Sequence, residues 1–145
     1  MASTPRFFTL EEANDTLPRV KELVSRQLER RTKLEQLIAE LGTRLGSPPE
    51  AVVINPDDPA DLREFKRDLI RRIEEYQRGW NELEDLGAVL KDPKTGLIDW
   101  YSKIEGKTVL LCWRHGEDAI DHYHDVEAGV AGRKPLAAIR ARLYN

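Results

Sequence analysis

"LIDWYSKIEGKTVLLCW", Leu97–Trp113, holds two apolar runs around Glu105-Gly106. A polar residue followed by glycine between such runs marks a tight hairpin turn, so the spacing predicts two antiparallel strands. In the second strand Val109, Leu111 and Trp113 face one way, and Leu110 and Cys112 the other. Both faces are apolar, so this strand is expected to be covered on both sides. The covering material has to come from the rest of the chain, which reads mainly as helix.

Upstream, "FFTLEEAN" is a helix start: Thr9 can cap, Glu12 stands three residues on, and Phe8 can staple against Ala13. Pro18 lacks an N–H and crowds the preceding turn, which predicts a short helical turn over 10–16, a bend, and a long helix from 18 to about 45. Leu10, Ala13, Leu17, Val20, Val24, Leu34, Ile38, Leu41 and Leu45 follow three- and four-residue steps. That is close to a heptad seam, with Gln27 and Arg31 as a polar gap at its middle. Residues 46–58, "GSPPEAVVINPDD", contain three prolines and read as a loop whose Ala51–Ile54 patch can tuck onto the helices. Asp58 then reads as an N-cap with Pro59 at the first helical position.

The second long helix is expected over 59–91, with a seam of Leu62, Phe65, Leu69, Ile73, Tyr76, Trp80, Leu83, Gly87 and Leu90. Gly79 and Gly87 each cost about 1 kcal/mol in a helix interior and make sense where another backbone comes close. The architecture implied is a mainly α single domain, 1–145. It comprises a kinked helix 1 (1–45), a loop (46–58), helix 2 (59–91), a β-hairpin (97–113), and a His/acid loop with a C-terminal helix (114–145). The two helices pack as a long antiparallel helical hairpin, and the glycine-rich C-terminal segment ends in a short helix begun at Pro135.

Bulk properties narrow the function. The chain has 145 residues, 34% of them charged, and a formal net charge of −3. The charged fraction exceeds the typical ~25% and suits long exposed helices. The basic pairs Arg30-Arg31 and Arg71-Arg72 each have Glu within a turn, so no basic face for nucleic acid is expected. Trp80, Trp100 and Trp113 therefore read as core rather than as base-stacking platforms. No run approaches the ~20 apolar residues of a membrane span, and the amino terminus lacks the apolar stretch of a secretory signal. A cytoplasmic protein without a membrane partner is the expectation. Cys112 is the only cysteine, which excludes an intrachain disulfide, and its apolar surroundings give it the role of a small buried hydrophobe.

The chemistry-bearing residues gather in "HGEDAIDHYHDVEAG", His115–Gly129, which holds all three histidines and five carboxylates. As a strand, His122 and His124 project to the same side and can share a divalent transition metal, zinc, iron or manganese, with Glu117, Asp125 or His115 completing the set. As a helix, Glu117, Asp121, His124 and Ala128 share one face, and Asp121-x-x-His124 imitates half of a di-iron motif. Neither long helix carries a histidine to supply the other half. The structural alternative is a polar network that satisfies buried backbone groups, with Trp113 and Tyr123 as its walls. A histidine beside carboxylates is also the ordinary general-base pairing. "GVAGRKP", with Arg133 and Lys134, can bind an anion through backbone N–H groups, but no strand–loop–helix frame surrounds it.

"FTLEEANDTLP", "KDPKTGLIDW" and "LCWRHGEDAI…YHDVEAGVAGRKPL" together resemble a bacterial domain-of-unknown-function family, number 2203, over essentially the whole chain. The family's motif falls on Trp113, Arg114, Gly116, Glu117, His124, Asp125, Gly129, Gly132, Arg133 and Pro135. The sequence departs from it at His115 and His122, where the family pattern implies apolar or aromatic residues. The resemblance implies no reaction.

Three functions follow as expectations. The first is a structural or interaction module that self-associates through its helices, as a homo-oligomer, most simply a dimer. The second is a metal-binding protein or metal-dependent enzyme centred on His124, with Glu117, His122, Asp125 and Glu127 as partners. The third is an anion or nucleotide binder at Arg114 and Arg133. Trp113, Gly116, Gly129 and Gly132 are assigned to structure.

Overall fold

A computed structural model describes residues 5–139. The element order is helix α1 (Leu10–Leu45), helix α2 (Ala60–Asp85), then strands β1 (Val89–Asp92), β2 (Leu97–Ile104), β3 (Lys107–Arg114), β4 (His122–Asp125) and β5 (Lys134–Pro135). Single 3-10 turns at Val130–Gly132 and Leu136–Ala138 flank the last strand. The five strands form one antiparallel sheet in the order β1-β2-β3-β4-β5. The expected mainly α fold with a lone β-hairpin is therefore incorrect: the hairpin is the centre of a sheet. The C-terminal helix expected beyond Pro135 falls mostly outside the described residues.

Two local features account for the difference. Gly87 has φ 89° and stands just past the end of α2, where Leu86 N–H bonds back to Glu82 and Gly87 N–H to Glu84. It is a helix stop of the left-handed kind, and the chain beyond it becomes β1. At the other end, residues expected as a loop return to the sheet: His122–Asp125 pair with Val109–Cys112, and Lys134–Pro135 pair with His122–Tyr123.

The described residues group into two compact units, 5–25 with 82–139, and 26–81. In the first, the Thr9–Glu12 capping box is present: Thr9 N–H donates to Glu12 Oε1 at 2.9 Å and Glu12 N–H to Thr9 Oγ1 at 3.0 Å. These bonds to Thr9 hold the Glu12 carboxyl below its usual range. Helix α1 continues through Pro18 without a break in assignment. The turn between β2 and β3 has Glu105 at φ 52° and Gly106 at φ 80°, the paired positive angles of a two-residue hairpin turn. Cross-strand partners share a face, so Ile98 and Trp113, Trp100 and Leu111, and Ser102 and Val109 form one buried layer. The Trp100 indole N–H in that layer donates to Thr16 Oγ1 of α1 at 3.1 Å, which shows that this face packs on the helix. The opposite face of the sheet carries the polar residues described below.

In the second unit the two helices run antiparallel: Gln27 meets Tyr76, Arg30 meets Glu75 and Arg44 meets Asp61. Buried Leu34, Leu41 and Leu69 form its core, with Leu37, Val52, Leu62, Phe65, Ile73 and Tyr76 packed against them. The loop patch expected to tuck in does so through Val52. Lys66, almost fully buried, donates to the Val53 carbonyl at 2.8 Å and to Asp58 at 2.7 Å. Asp58 therefore latches the loop instead of capping α2, and Lys66 holds its carboxyl below the usual range.

The polar gap in the heptad seam also has a physical explanation. Gln27 is fully buried; its amide donates to the Tyr76 carbonyl at 2.6 Å and accepts from Arg30 at 2.7 Å. It lies across Gly79, where any Cβ would overlap the amide. Gly79→Ala improves helix propensity by about 1 kcal/mol. It is nonetheless expected to lower stability by about 1–2 kcal/mol net, because overpacking a fixed amide costs more than the propensity gained. Urea unfolding of Gly79→Ala beside Gly79→Ala/Gln27→Ala checks this: the double variant should recover part of the loss. A stabilised single variant would contradict the packing argument.

Candidate functional site

The register across β2, β3 and β4 pairs Asp99 with Cys112 and Cys112 with His122, and in the next row Tyr101 with Leu110 and Leu110 with His124. Asp99, Cys112, His122 and His124 thus project from the sheet face opposite Trp100 and Trp113. Asp99, Cys112 and His124 are all buried, and one potential donor atom of each lies within 4.8 Å of the others. His124 Nε2 is 2.8 Å from Asp99 Oδ2, and His124 Nδ1 is 2.9 Å from the Asp125 carbonyl oxygen. Asp99 Oδ1 is buried with no hydrogen-bond partner among the described residues. Burial raises the Asp99 carboxyl above its usual range, against the pull of the His124 charge. Burial, and then the neighbouring Asp99, push the Cys112 thiol up to about 12.

A cleft of about 400 Å³ reaches this group, lined by Asp99 and His124 together with Lys91, Asp92, Leu97, Val126, Gly129 and Val130. The turn after β4 supplies one rim through Val126, and Gly129 and Val130 supply the other.

Glu117 organises a second, adjoining cluster. Gly116, at φ 101°, lets the chain turn so that Glu117 N–H bonds the Arg114 carbonyl. The Trp113 indole donates to the Glu117 carbonyl at 2.8 Å. The Glu117 carboxylate accepts from Arg114 N–H at 2.6 Å and from Arg133 Nη2 at 2.7 and 2.9 Å. His122 Nδ1 is 3.5 Å from the same carboxylate. This clasp ties the segment before β5 to the turn after β3. Gly132 is needed there because a Cβ would meet the Ala128 Cβ at 2.5 Å.

The structure thus distributes the residues singled out by sequence. His124 joins Asp99 and Cys112, whereas Glu117 and His122 join Arg133. The Asp125 carboxylate pairs with Lys107 at 3.3 Å and Lys134 at 3.5 Å, and the bond from Lys107 holds it below the usual range. Glu127 and Arg114 are exposed, and so is His115, whose ring stands edge-on to Trp113. Asp99 and Cys112 escaped sequence reasoning. The available signal was a single carboxylate inside "LIDWY", a strand with apolar neighbours on both sides, where a charge has to be buried and therefore partnered.

The fold is an α+β architecture of two long helices and one five-stranded antiparallel sheet, with a polar cluster on one sheet face. The chain belongs to the DUF2203 family, described as an uncharacterized conserved protein, whose profile matches residues 6–136. No curated protein and no solved structure matches it. No helix among the described residues is long and apolar enough to cross a membrane.

Proposed function

We propose that the protein binds a divalent transition metal of the zinc class through Asp99, Cys112 and His124, with a further coordination position open to the cleft. The observation that carries this reading is the orientation of His124. A carbonyl oxygen can only accept, so the contact with Asp125 fixes the proton on Nδ1 and directs the Nε2 lone pair at Asp99 and Cys112. Imidazole ligands to metals are held in this way, by an N–H bonded to a backbone carbonyl. A bound ion would take the place of the proton otherwise required between Nε2 and Asp99, 2.8 Å apart, with Asp99, Cys112 and His124 as the residues that would hold it.

Charge balance supports the same set. A carboxylate and a thiolate neutralise a divalent cation, whereas a buried lone carboxylate is costly. A nitrogen, sulfur and oxygen donor set suits zinc and excludes magnesium or calcium. Three protein ligands with a free position are the arrangement of metal sites that polarise a carbonyl or activate water. Tag-free protein purified without chelators should carry about one equivalent of transition metal. Reconstitution with cobalt(II) should give a thiolate-to-metal charge-transfer band that is absent in Cys112→Ser. Metal-free protein that also takes up no cobalt would end this reading.

Self-association through the helices has less to act with. Of the large apolar side chains on the described helices, only Ile38 and Leu45 are exposed. The anion reading at Arg114 and Arg133 loses its half-buried member, because Arg133 already pairs with the Glu117 carboxylate.

A further inference from the structure

We propose that the cleft beside Asp99 and His124 takes a small aliphatic carboxylate, its anionic group between Lys91 and the open metal position and its chain along Leu97, Val126 and Val130. This identifies a ligand class for the metal site just proposed and rests on that reading. The lining divides by chemistry. Leu97, Val126 and Val130 are its apolar members, and Val126 and Val130 remain 49% and 39% exposed on its two rims. Such side chains around a concave site are what an apolar ligand covers.

The polar members are Lys91, Asp92, Asp99 and His124. Asp92 is already committed: its carboxylate accepts from Lys94 N–H at 2.9 Å and from the Thr95 hydroxyl at 2.8 Å. Lys91 has no carboxylate within ion-pair distance among the described residues, and its charge acts on Asp99. With Asp99 and Cys112 neutralising a bound ion, the cleft presents the Lys91 charge and an open metal position that accepts a lone pair, next to exposed apolar side chains. A cationic or purely apolar ligand leaves both unanswered, and a phosphate leaves the valines uncovered. A monocarboxylate with a short alkyl chain answers both.

The test is titration of cobalt-loaded full-length protein with hexanoate, with its neutral counterpart hexanamide, and with inorganic phosphate, followed by the visible cobalt bands and by calorimetry. Hexanoate should bind saturably and shift the bands, with hexanamide and phosphate at least about tenfold weaker. Lys91→Met and Val130→Asp should each weaken hexanoate about tenfold while leaving the cobalt content unchanged. Cobalt bound at full stoichiometry with no hexanoate response, or with phosphate binding as well as hexanoate, overturns the ligand assignment alone. Failure to bind cobalt overturns the metal reading and this one with it.

Discussion

His124→Ala is expected to lose the metal and to lower stability by about 3–5 kcal/mol at neutral pH, because it leaves the buried Asp99 without its partner. In a chain of this size that amounts to a fall in Tm of roughly 10 °C. The loss should depend on pH in a defined direction. Burial raises the folded-state pKa of Asp99 above its unfolded value, and removal of His124 takes away the opposing pull. A carboxyl raised in this way contributes stability that is present below the unfolded pKa and disappears as pH rises through the folded pKa. The variant should therefore approach the parent protein near pH 4–5 and fall behind it toward pH 8. Asp99→Asn should separate the two roles: it keeps a neutral hydrogen-bonding group beside His124, so it should retain most of the stability while losing the metal. Urea unfolding across pH, with elemental analysis of the same samples, provides both readouts. Equal stability loss at pH 5 and pH 8 would argue against a buried carboxyl as the source.

The second large effect is expected at Trp113, the fully buried residue that opens the motif read in the sequence. Trp113→Ala should cost about 3–5 kcal/mol, the usual price of emptying a buried aromatic site. Trp113→Phe keeps most of the volume and loses only the indole N–H to the Glu117 carbonyl, a bond worth about 1 kcal/mol. If the motif tryptophan serves packing, Trp113→Phe should unfold near the parent protein and retain metal. A phenylalanine variant as unstable as the alanine variant would make the Glu117 turn, rather than the core, the main determinant.

The central hairpin was legible because its signal is local: alternating apolar residues and a Glu-Gly turn. The capping box and most of both leucine seams were legible for the same reason, although Ile38 and Leu45 are exposed and Gly87 and Leu90 lie beyond the end of α2. β1 was not, because Gly87 can be read as a close-packing glycine in a helix or as a left-handed stop, and only the positive φ decides between them. β4 and β5 are four and two residues long, and their pairing depends on partners that sequence spacing does not identify. The site was half legible. His124 lay within an obvious cluster, but its partners came from the hairpin, where Cys112 read as a hydrophobe and Asp99 drew no attention. Side chains on neighbouring strands become neighbours only through register, and register is a property of the folded sheet.

A pair of leucine seams is permissive about alignment, since sliding one helix by seven residues again sets apolar against apolar. Gln27 removes that freedom. Its amide needs a bare backbone opposite, and Gly79 supplies it. A seven-residue slip would bring either Arg72 or Leu86 to that place, and neither leaves room. Gln27, the fully buried member of the polar gap, thus acts as a key that only one alignment admits, at some cost in apolar burial. Leucines elsewhere along the two helices are correspondingly free to vary in size without the hairpin losing its place.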